Sequence, residues 1–288
     1  ISLGLVGSEM CIRDRYTFKF SYTNDKEAIV SFAHTFSNDR VTAKINLFKV
    51  DKETGKAVPQ GDATLKGAVY GLYAREDIVH PDGATGTIYK AGEQVASLTT
   101  DDKGQSSVNG LYLGKYYIKE ITPPTGYLAD TEEHDLVCSY EGDMTAEVKR
   151  ECTSSEQVIK QPFQIIKAAN NGKTDADLLS GAGFTVYLKS SLIKKADGSY
   201  DFDSAKPVVS GENGATEIFT DEKGYACSIP LPFGSYIVRE TTTPHNYKPV
   251  DDFEVNITEH HPNEPQIWRV LLDLSLIHIS EPTRPRLI

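Results

Sequence analysis

Hydrophobic and polar residues alternate with a period of two along most of the chain interior. Ile45, Leu47 and Lys49 share one phase, as do Val69, Gly71 and Tyr73, then Tyr116, Ile118 and Glu120, and later Val255 and Ile257. Successive side chains on a strand point to opposite faces, so this period predicts half-buried strands and not helices, whose apolar period is 3.6. Turn signals punctuate the runs at Asp102-Lys103-Gly104, Pro123-Pro124-Thr125-Gly126, Asp197-Gly198 and Glu222-Lys223-Gly224. Short strands separated by Gly and Pro turns predict an all-β fold built as a sandwich.

The pattern repeats. Residues 100–127 (TDDKGQSSVNGLYLGKYYIKEITPPTGY) match 220–247 (TDEKGYACSIPLPFGSYIVRETTTPHNY). Gly104, Gly114, Tyr116, Glu120, Pro124 and Tyr127 recur as Gly224, Gly234, Tyr236, Glu240, Pro244 and Tyr247. Upstream, KGAVYGLY (66–73) matches SGAGFTVY (180–187), and INLFK (45–49) matches FQIIK (163–167). Self-similarity at a fixed period marks tandem copies of one structural unit. Unit one is expected over residues 41–157 and unit two over 158–273. Residues 16–40 read as a hairpin, the last two strands of a truncated preceding unit. The first fifteen residues (ISLGLVGSEMCIRDR) and residues 274–288 share no period with the interior. Both ends resemble translated sequencing-adapter sequence, so neither is expected to belong to the fold.

Composition narrows the function. The 288 residues carry a formal net charge of -11, with 25% charged and 39% hydrophobic residues. That is a globular composition. An acidic surface has nothing with which to release phosphate counterions, so nucleic acid is not an expected partner. The sequence has no apolar run long enough to span a membrane. Cys11, Cys138, Cys152 and Cys227 show no C-x-x-C spacing. A hairpin turn at Glu141-Gly142-Asp143 would set Cys138 opposite a residue near Ala146 and leave Cys152 out of register, so free thiols are expected. His260-His261 lack a third ligand at useful spacing, and there is no phosphate loop, nucleophile elbow or Cys/His arrangement. The expectation is a non-enzyme with no cofactor and no metal.

Some charges fall on the apolar phase. Lys49 follows Ile45 and Leu47, and Lys167 follows Phe163 and Ile165. Glu120 follows Tyr116 and Ile118, and Glu240 follows Tyr236 and Val238. Alternation therefore turns one lysine and one glutamate of each unit inward. They either reach solvent at a strand end or form a buried ion pair. A buried charge left alone is too costly to persist, so it must pair, neutralise or react.

A strand ending in lysine, then Gly-Ala-x-Phe/Tyr-x-Leu/Val-Tyr, then Gly-x-Tyr-x-x-x-Glu-x-x-x-Pro-x-x-Tyr resembles the SpaA-like pilin domain, also called the prealbumin-like or collagen-adhesin B-type domain of Gram-positive surface proteins. The resemblance runs from Val41 to Asp273 and is most specific over Gly114–Tyr127. Unit two departs from it at Asn246, where the family has Gly; a left-handed turn tolerates Asn. The resemblance implies tandem prealbumin-like (Ig-like) sandwiches. It also implies an internal isopeptide bond between a first-strand lysine (Lys49, Lys167) and a last-strand Asn or Asp, assisted by a glutamate (Glu120, Glu240). Burial would favour the neutral amine and the uncharged acid that such chemistry needs. For the acceptor, Asn38 suits the truncated preceding unit, and Asp273 is the candidate in unit two although it falls out of phase with Trp268, Val270 and Leu272. The matching stretch of unit one, Ser154-Ser155-Glu156, offers no amide or Asp. Lys248, in Asn246-Tyr247-Lys248-Pro249, follows a core turn and is not taken as a polymerisation lysine. The implied role is a stalk or shaft segment of an extracellular, wall-anchored protein or pilin. Its partners would be neighbouring domains of the same chain, with sortase and cell wall reached through a missing C-terminus. The alternative is an adhesin module that binds a host or matrix ligand through the long loops 75–95 and 188–213.

Overall fold

A computed structural model of the protein describes residues 39–142, 144–169, 177–271 and 276–279. Asn38, Asp273 and Cys11 lie outside the described residues. The fold is nearly all β, in two copies of one seven-stranded plan. Unit one has β1 (Thr42–Asp51), β2 (Val69–Ala74), β3 (Gln94–Thr99), β4 (Gln105–Leu111), β5 (Gly114–Thr122), β6 (Glu133–Cys138) and β7 (Glu147–Glu156). Unit two has β8 (Phe163–Ala168), β9 (Gly183–Leu188), β10 (Glu217–Phe219), β11 (Tyr225–Cys227), β12 (Gly234–Thr242), β13 (Phe253–Ile257) and β14 (Gln266–Leu271).

The sheet orders correspond strand for strand. Unit one pairs β4-β1-β7 in one sheet and β3-β2-β5-β6 in the other; unit two pairs β11-β8-β14 and β10-β9-β12-β13. In both units the first and last strands are parallel neighbours. β1 and β7 run in register from Thr42↔Glu147 to Asp51↔Glu156, and β8 and β14 from Phe163↔Gln266 to Ala168↔Leu271. Parallel neighbours need a crossover, and here the whole remainder of each unit supplies it. A further strand, β15 (Leu276–Ile279), pairs antiparallel with β14. Four residues of the stretch expected to lie outside the fold thus extend a sheet, consistent with their aliphatic and β-branched composition.

Alternation is strict along β1. Ala43, Ile45, Leu47, Lys49 and Asp51 are all fully buried, while the residues between them are partly exposed. The inward face meets Tyr70, Leu72, Tyr116 and Ile118 of the facing sheet. In unit two Phe163 and Ile165 meet Phe184, Val186, Tyr236 and Val238. Each such side chain contributes roughly 1.5–3 kcal/mol by leaving water.

One expectation is corrected. The strands on either side of the expected turn, β6 and β7, do not pair as a hairpin: β6 lies beside β5 in one sheet, and β7 lies beside β1 in the other. The chain crosses the sandwich there, because β7 is matched to β1 by its own apolar phase. Cys138 and Cys152 are consequently buried free thiols in the first core, whereas Cys227 is exposed. Asn246 takes the left-handed conformation at φ 69.

Candidate functional site

The site is built where the first strand of each unit faces a glutamate across the sandwich. Lys49 on β1 and Glu120 on β5 belong to different sheets, as do Lys167 on β8 and Glu240 on β12. The strand lysines are held by a repeated turn. The backbone N–H of Lys49 donates to the Gly104 carbonyl at 2.7 Å, and that of Lys167 to the Gly224 carbonyl at 2.9 Å. Both glycines have positive φ, and a Cβ on either would stand 2.7 or 2.8 Å from the lysine carbonyl, which accounts for glycine at these two positions.

In unit one the Lys49 Nζ donates to Glu120 Oε1 at 3.2 Å and to the Tyr70 hydroxyl at 3.1 Å, and forms an ion pair with Glu156 Oε1. All three partners are buried. The Tyr70 hydroxyl also lies 2.8 Å from Glu156 Oε1 and 2.9 Å from Ser154 Oγ. Glu120 uses its other oxygen to accept the Asp130 backbone N–H at 2.7 Å. Glu156 Oε2 is buried and has no hydrogen-bond partner among the described residues. Burial lowers the Lys49 pKa from 10.5 to about 8, against the upward pull of Glu120. Burial likewise keeps the Tyr70 hydroxyl protonated.

A polar chain joins this cluster to the surface. Asp130 Oδ2 lies 3.1 Å from Ser154 Oγ and 2.7 Å from His134 Nε2. Burial pushes the Asp130 carboxyl up, but the Glu132 amide, His134 and Ser154 outweigh it and hold that carboxyl below its ordinary value. A surface depression lined by Asp130, His134, Ser155 and Glu156 opens over the cluster.

Unit two keeps the frame and changes the filling. Lys167 Nζ pairs with Glu240 Oε2 at 2.7 Å, and the same oxygen accepts the Val250 N–H at 2.8 Å, as Glu120 accepts that of Asp130. Tyr70 pairs with Glu120 across β2 and β5; its counterpart opposite Glu240 is Phe184. Lys49 sits beside Ser154 in the parallel ladder, and Lys167 beside Val270.

The four inward charges expected from alternation therefore lie in two buried pairs, Lys49 with Glu120 and Lys167 with Glu240. Glu156, Tyr70 and Ser154 were not anticipated as partners of Lys49. One signal was available for Glu156: it precedes Lys167 by the same eleven residues that separate Asn38 from Lys49.

Comparison with known proteins bears on the frame. Among solved structures, the chain is similar to the Bacillus anthracis TIE protein at 23% identity and a TM-score of 0.51, over 80% of this chain and 33% of that one. It spans, then, about a third of that protein's chain. It also aligns with the minor pilin GBS52 of Streptococcus agalactiae (17% identity, TM-score 0.33, 84% and 99% of the two chains) and with the shaft pilin SpaA of Lactobacillus rhamnosus GG (16%, 0.29, 80% and 96%). No curated protein sequence matches. A family model, the SpaA prealbumin-like fold domain, matches residues 43–151 and again 162–267, one match per unit and together well over half the chain. The chain belongs to the SpaA prealbumin-like fold domain family.

Proposed function

We propose that this chain is a load-bearing stalk segment of an extracellular, wall-anchored surface protein or pilus, and that unit one is locked by an amide bond between Lys49 and Glu156. The observation that carries this reading is the parallel, ten-residue ladder between the strand at which the chain enters unit one and the strand at which it leaves. Tension applied at Thr42 and Glu156 pulls the two strands along their length in opposite directions. The ladder is then loaded in shear, all its hydrogen bonds together, and is not unzipped one bond at a time. A bond from Lys49 to Glu156 would carry that load between the strands and leave the roughly one hundred residues between them unstretched.

The chemistry is a condensation that occurs once per molecule. A neutral cluster contains one ammonium, one carboxylate and one carboxylic acid. Passing a proton from Lys49 to the Glu120 carboxylate yields a free amine beside the Glu156 acid. The amine attacks Cδ of Glu156; Glu120 delivers a proton to the departing hydroxyl and takes up the proton that the attacking nitrogen sheds, so that water leaves as the C–N bond of the amide forms and Glu120 ends as the acid. Closing a loop of that size stabilises by about 4–5 kcal/mol, by analogy with a disulfide of the same span. In unit two the last strand, Gln266–Leu271, carries no carboxyl, so Lys167 and Glu240 stand as an ion pair that ties the two sheets. Asp273 is the remaining acceptor there.

Binding through the long loops is less favoured. Their aromatic rings are used internally: His80 and Tyr89 pack edge-on to Tyr112, and Phe202 packs on Tyr187. Single-molecule stretching between the chain ends tests the proposal. The expected trace has one release of about 35 nm, unit two unravelling at ~3.4 Å per residue, and none from unit one. A second release of similar length would contradict the lock.

A further inference from the structure

The residues between the units are all committed to one unit or the other. The Leu128 N–H donates to the Gln157 carbonyl at 2.9 Å, and the Ile159 N–H to the Gly126 carbonyl at 2.8 Å, which sews the exit from β7 onto unit one. The next two residues, Lys160 and Gln161, pair with Pro232 and Leu231 of unit two. Between these attachments the Phe233 N–H donates to the Ile159 carbonyl at 2.8 Å. A flexible tether would leave such backbone groups to water.

Phe233, at the turn into β12, leaves unit two altogether. Its ring packs in a small separate core whose other members are Ala63, Leu65, Tyr127 and Val158. Beside it the loop 51–62 of unit one reaches across. The Asp62 N–H donates to the Phe233 carbonyl at 2.8 Å, and its carboxylate accepts the Ser235 N–H at 3.1 Å and the Ser190 hydroxyl. The approach is close enough that a Cβ on Gly61 would stand 2.3 Å from the Phe233 carbonyl oxygen. That reaching loop is organised by a buried carboxylate at its root. Asp51 accepts from the Glu53 and Thr54 backbone N–H groups, from Gln60 Nε2 and from the Tyr127 hydroxyl. The repeat supplies an internal control: Tyr127 is 3% exposed at the joint, and its counterpart Tyr247 is 40% exposed.

We infer that this end of unit one is a socket for the lower end of a following unit of the same kind, with Phe233 as the knob and Asp62 as the latch, and that the two units hold a fixed relative orientation. The partner it recognises is an aromatic side chain flanked by a free backbone N–H and a hydroxyl. The inference does not depend on the amide bond in unit one. A rigid joint also gives Asp51, Tyr127 and Gly61 a role that folding of an isolated unit would not require.

Residual dipolar couplings on the full chain test this directly. One alignment tensor should fit the amides of both units in the native chain. The variants Asp62→Ala and Phe233→Ala, alone and together, should split it into two, and the double variant should also raise the radius of gyration in small-angle scattering. Unchanged near-ultraviolet circular dichroism in Asp62→Ala, whose side chain lies in no sandwich core, separates a loosened joint from an unfolded unit. Two tensors in the native chain, or a single tensor surviving in the folded double variant, would overturn the inference.

Discussion

Lys49 and Lys167 occupy the same place on the first strand of the same plan, both fully buried and both facing a glutamate from the opposite sheet. Around Lys49 stand a second glutamate, a tyrosine hydroxyl and a serine; in unit two Phe184 replaces Tyr70 opposite the glutamate, Val270 replaces Ser154 in the ladder, and the strand Gln266–Leu271 carries no carboxyl. The difference separates two jobs that share one lysine. Pairing with a glutamate on the facing strand ties the two sheets and needs only the frame. The proposed reaction requires a second carboxyl on the last strand, and among the described residues unit one alone presents one in the ladder. A buried pair is by itself weak evidence of stabilisation, since desolvation offsets much of its attraction. Its retention in both units points to geometry: it ties the two sheets face to face.

The largest expected effect breaks both units in parallel. Lys49→Met and Lys167→Met each strand a buried glutamate, which costs about 3–5 kcal/mol. Lys49→Met should in addition forfeit the ~4–5 kcal/mol of the proposed closed loop. Calorimetry resolving the two transitions should therefore show unit one falling much further than unit two. Equal losses would remove the distinction between them.

A pH titration sharpens the comparison further. In Glu156→Leu the lysine stays a free amine, and losing a carboxylate can only deepen the depression of its pKa. Above about pH 8 the folded state sheds the Lys49 proton, whereas the unfolded chain keeps it to about 10.5. The unfolded state binds more protons across that window, so the stability of unit one should rise with pH there, by roughly 3 kcal/mol at ~1.4 kcal/mol per unit. Below pH 8 the penalty is present in full and the slope from this group vanishes. With Lys49 in the proposed amide its nitrogen has no such proton, and denaturant melts of the native chain between pH 8 and 10.5 should lack this rise. The same rise in both proteins would show that Lys49 is free.

The smallest effect comes from exchanging the aromatic partners. Tyr70→Phe removes a hydroxyl that touches Lys49, Glu156 and Ser154, at a cost of about 1–3 kcal/mol. Phe184→Tyr brings a hydroxyl toward Glu240, whose Oε1 has no partner among the described residues, and should change unit two by ~1 kcal/mol or less. Urea midpoints measure both, and a Tyr70→Phe cost no larger than that of the reverse exchange would show that the hydroxyl has no special place in unit one.

Strand alternation is a local property, and what depends on it was legible in the sequence: the repeat, the all-β plan and the inward direction of Lys49, Lys167, Glu120 and Glu240. Pairing between the first and last strands is not local. Apart from the eleven-residue spacing between Glu156 and Lys167, nothing near Glu156 announces that β7 will lie parallel to β1, and Ser154-Ser155-Glu156 reads as a stretch that offers no amide or Asp. The same gap accounts for the expected hairpin at residues 141–143. Turn chemistry marks where a chain reverses but not which sheet receives the next strand. The joint was hidden for a related reason, because Phe233 reads as an ordinary apolar residue until the loop ending in Asp62 is seen beside it.

The proposed bond between Lys49 and Glu156 underlies the contrast between the units, and the intact mass of residues 41–273 tests it. One amide predicts a mass about 18 units below that calculated from the sequence, the loss of one water, with Lys49 and Glu156 in a single branched peptide after digestion. An unshifted mass would contradict the account. A loss of two waters would contradict its contrast between the units, since Asp273 would then have reacted with Lys167.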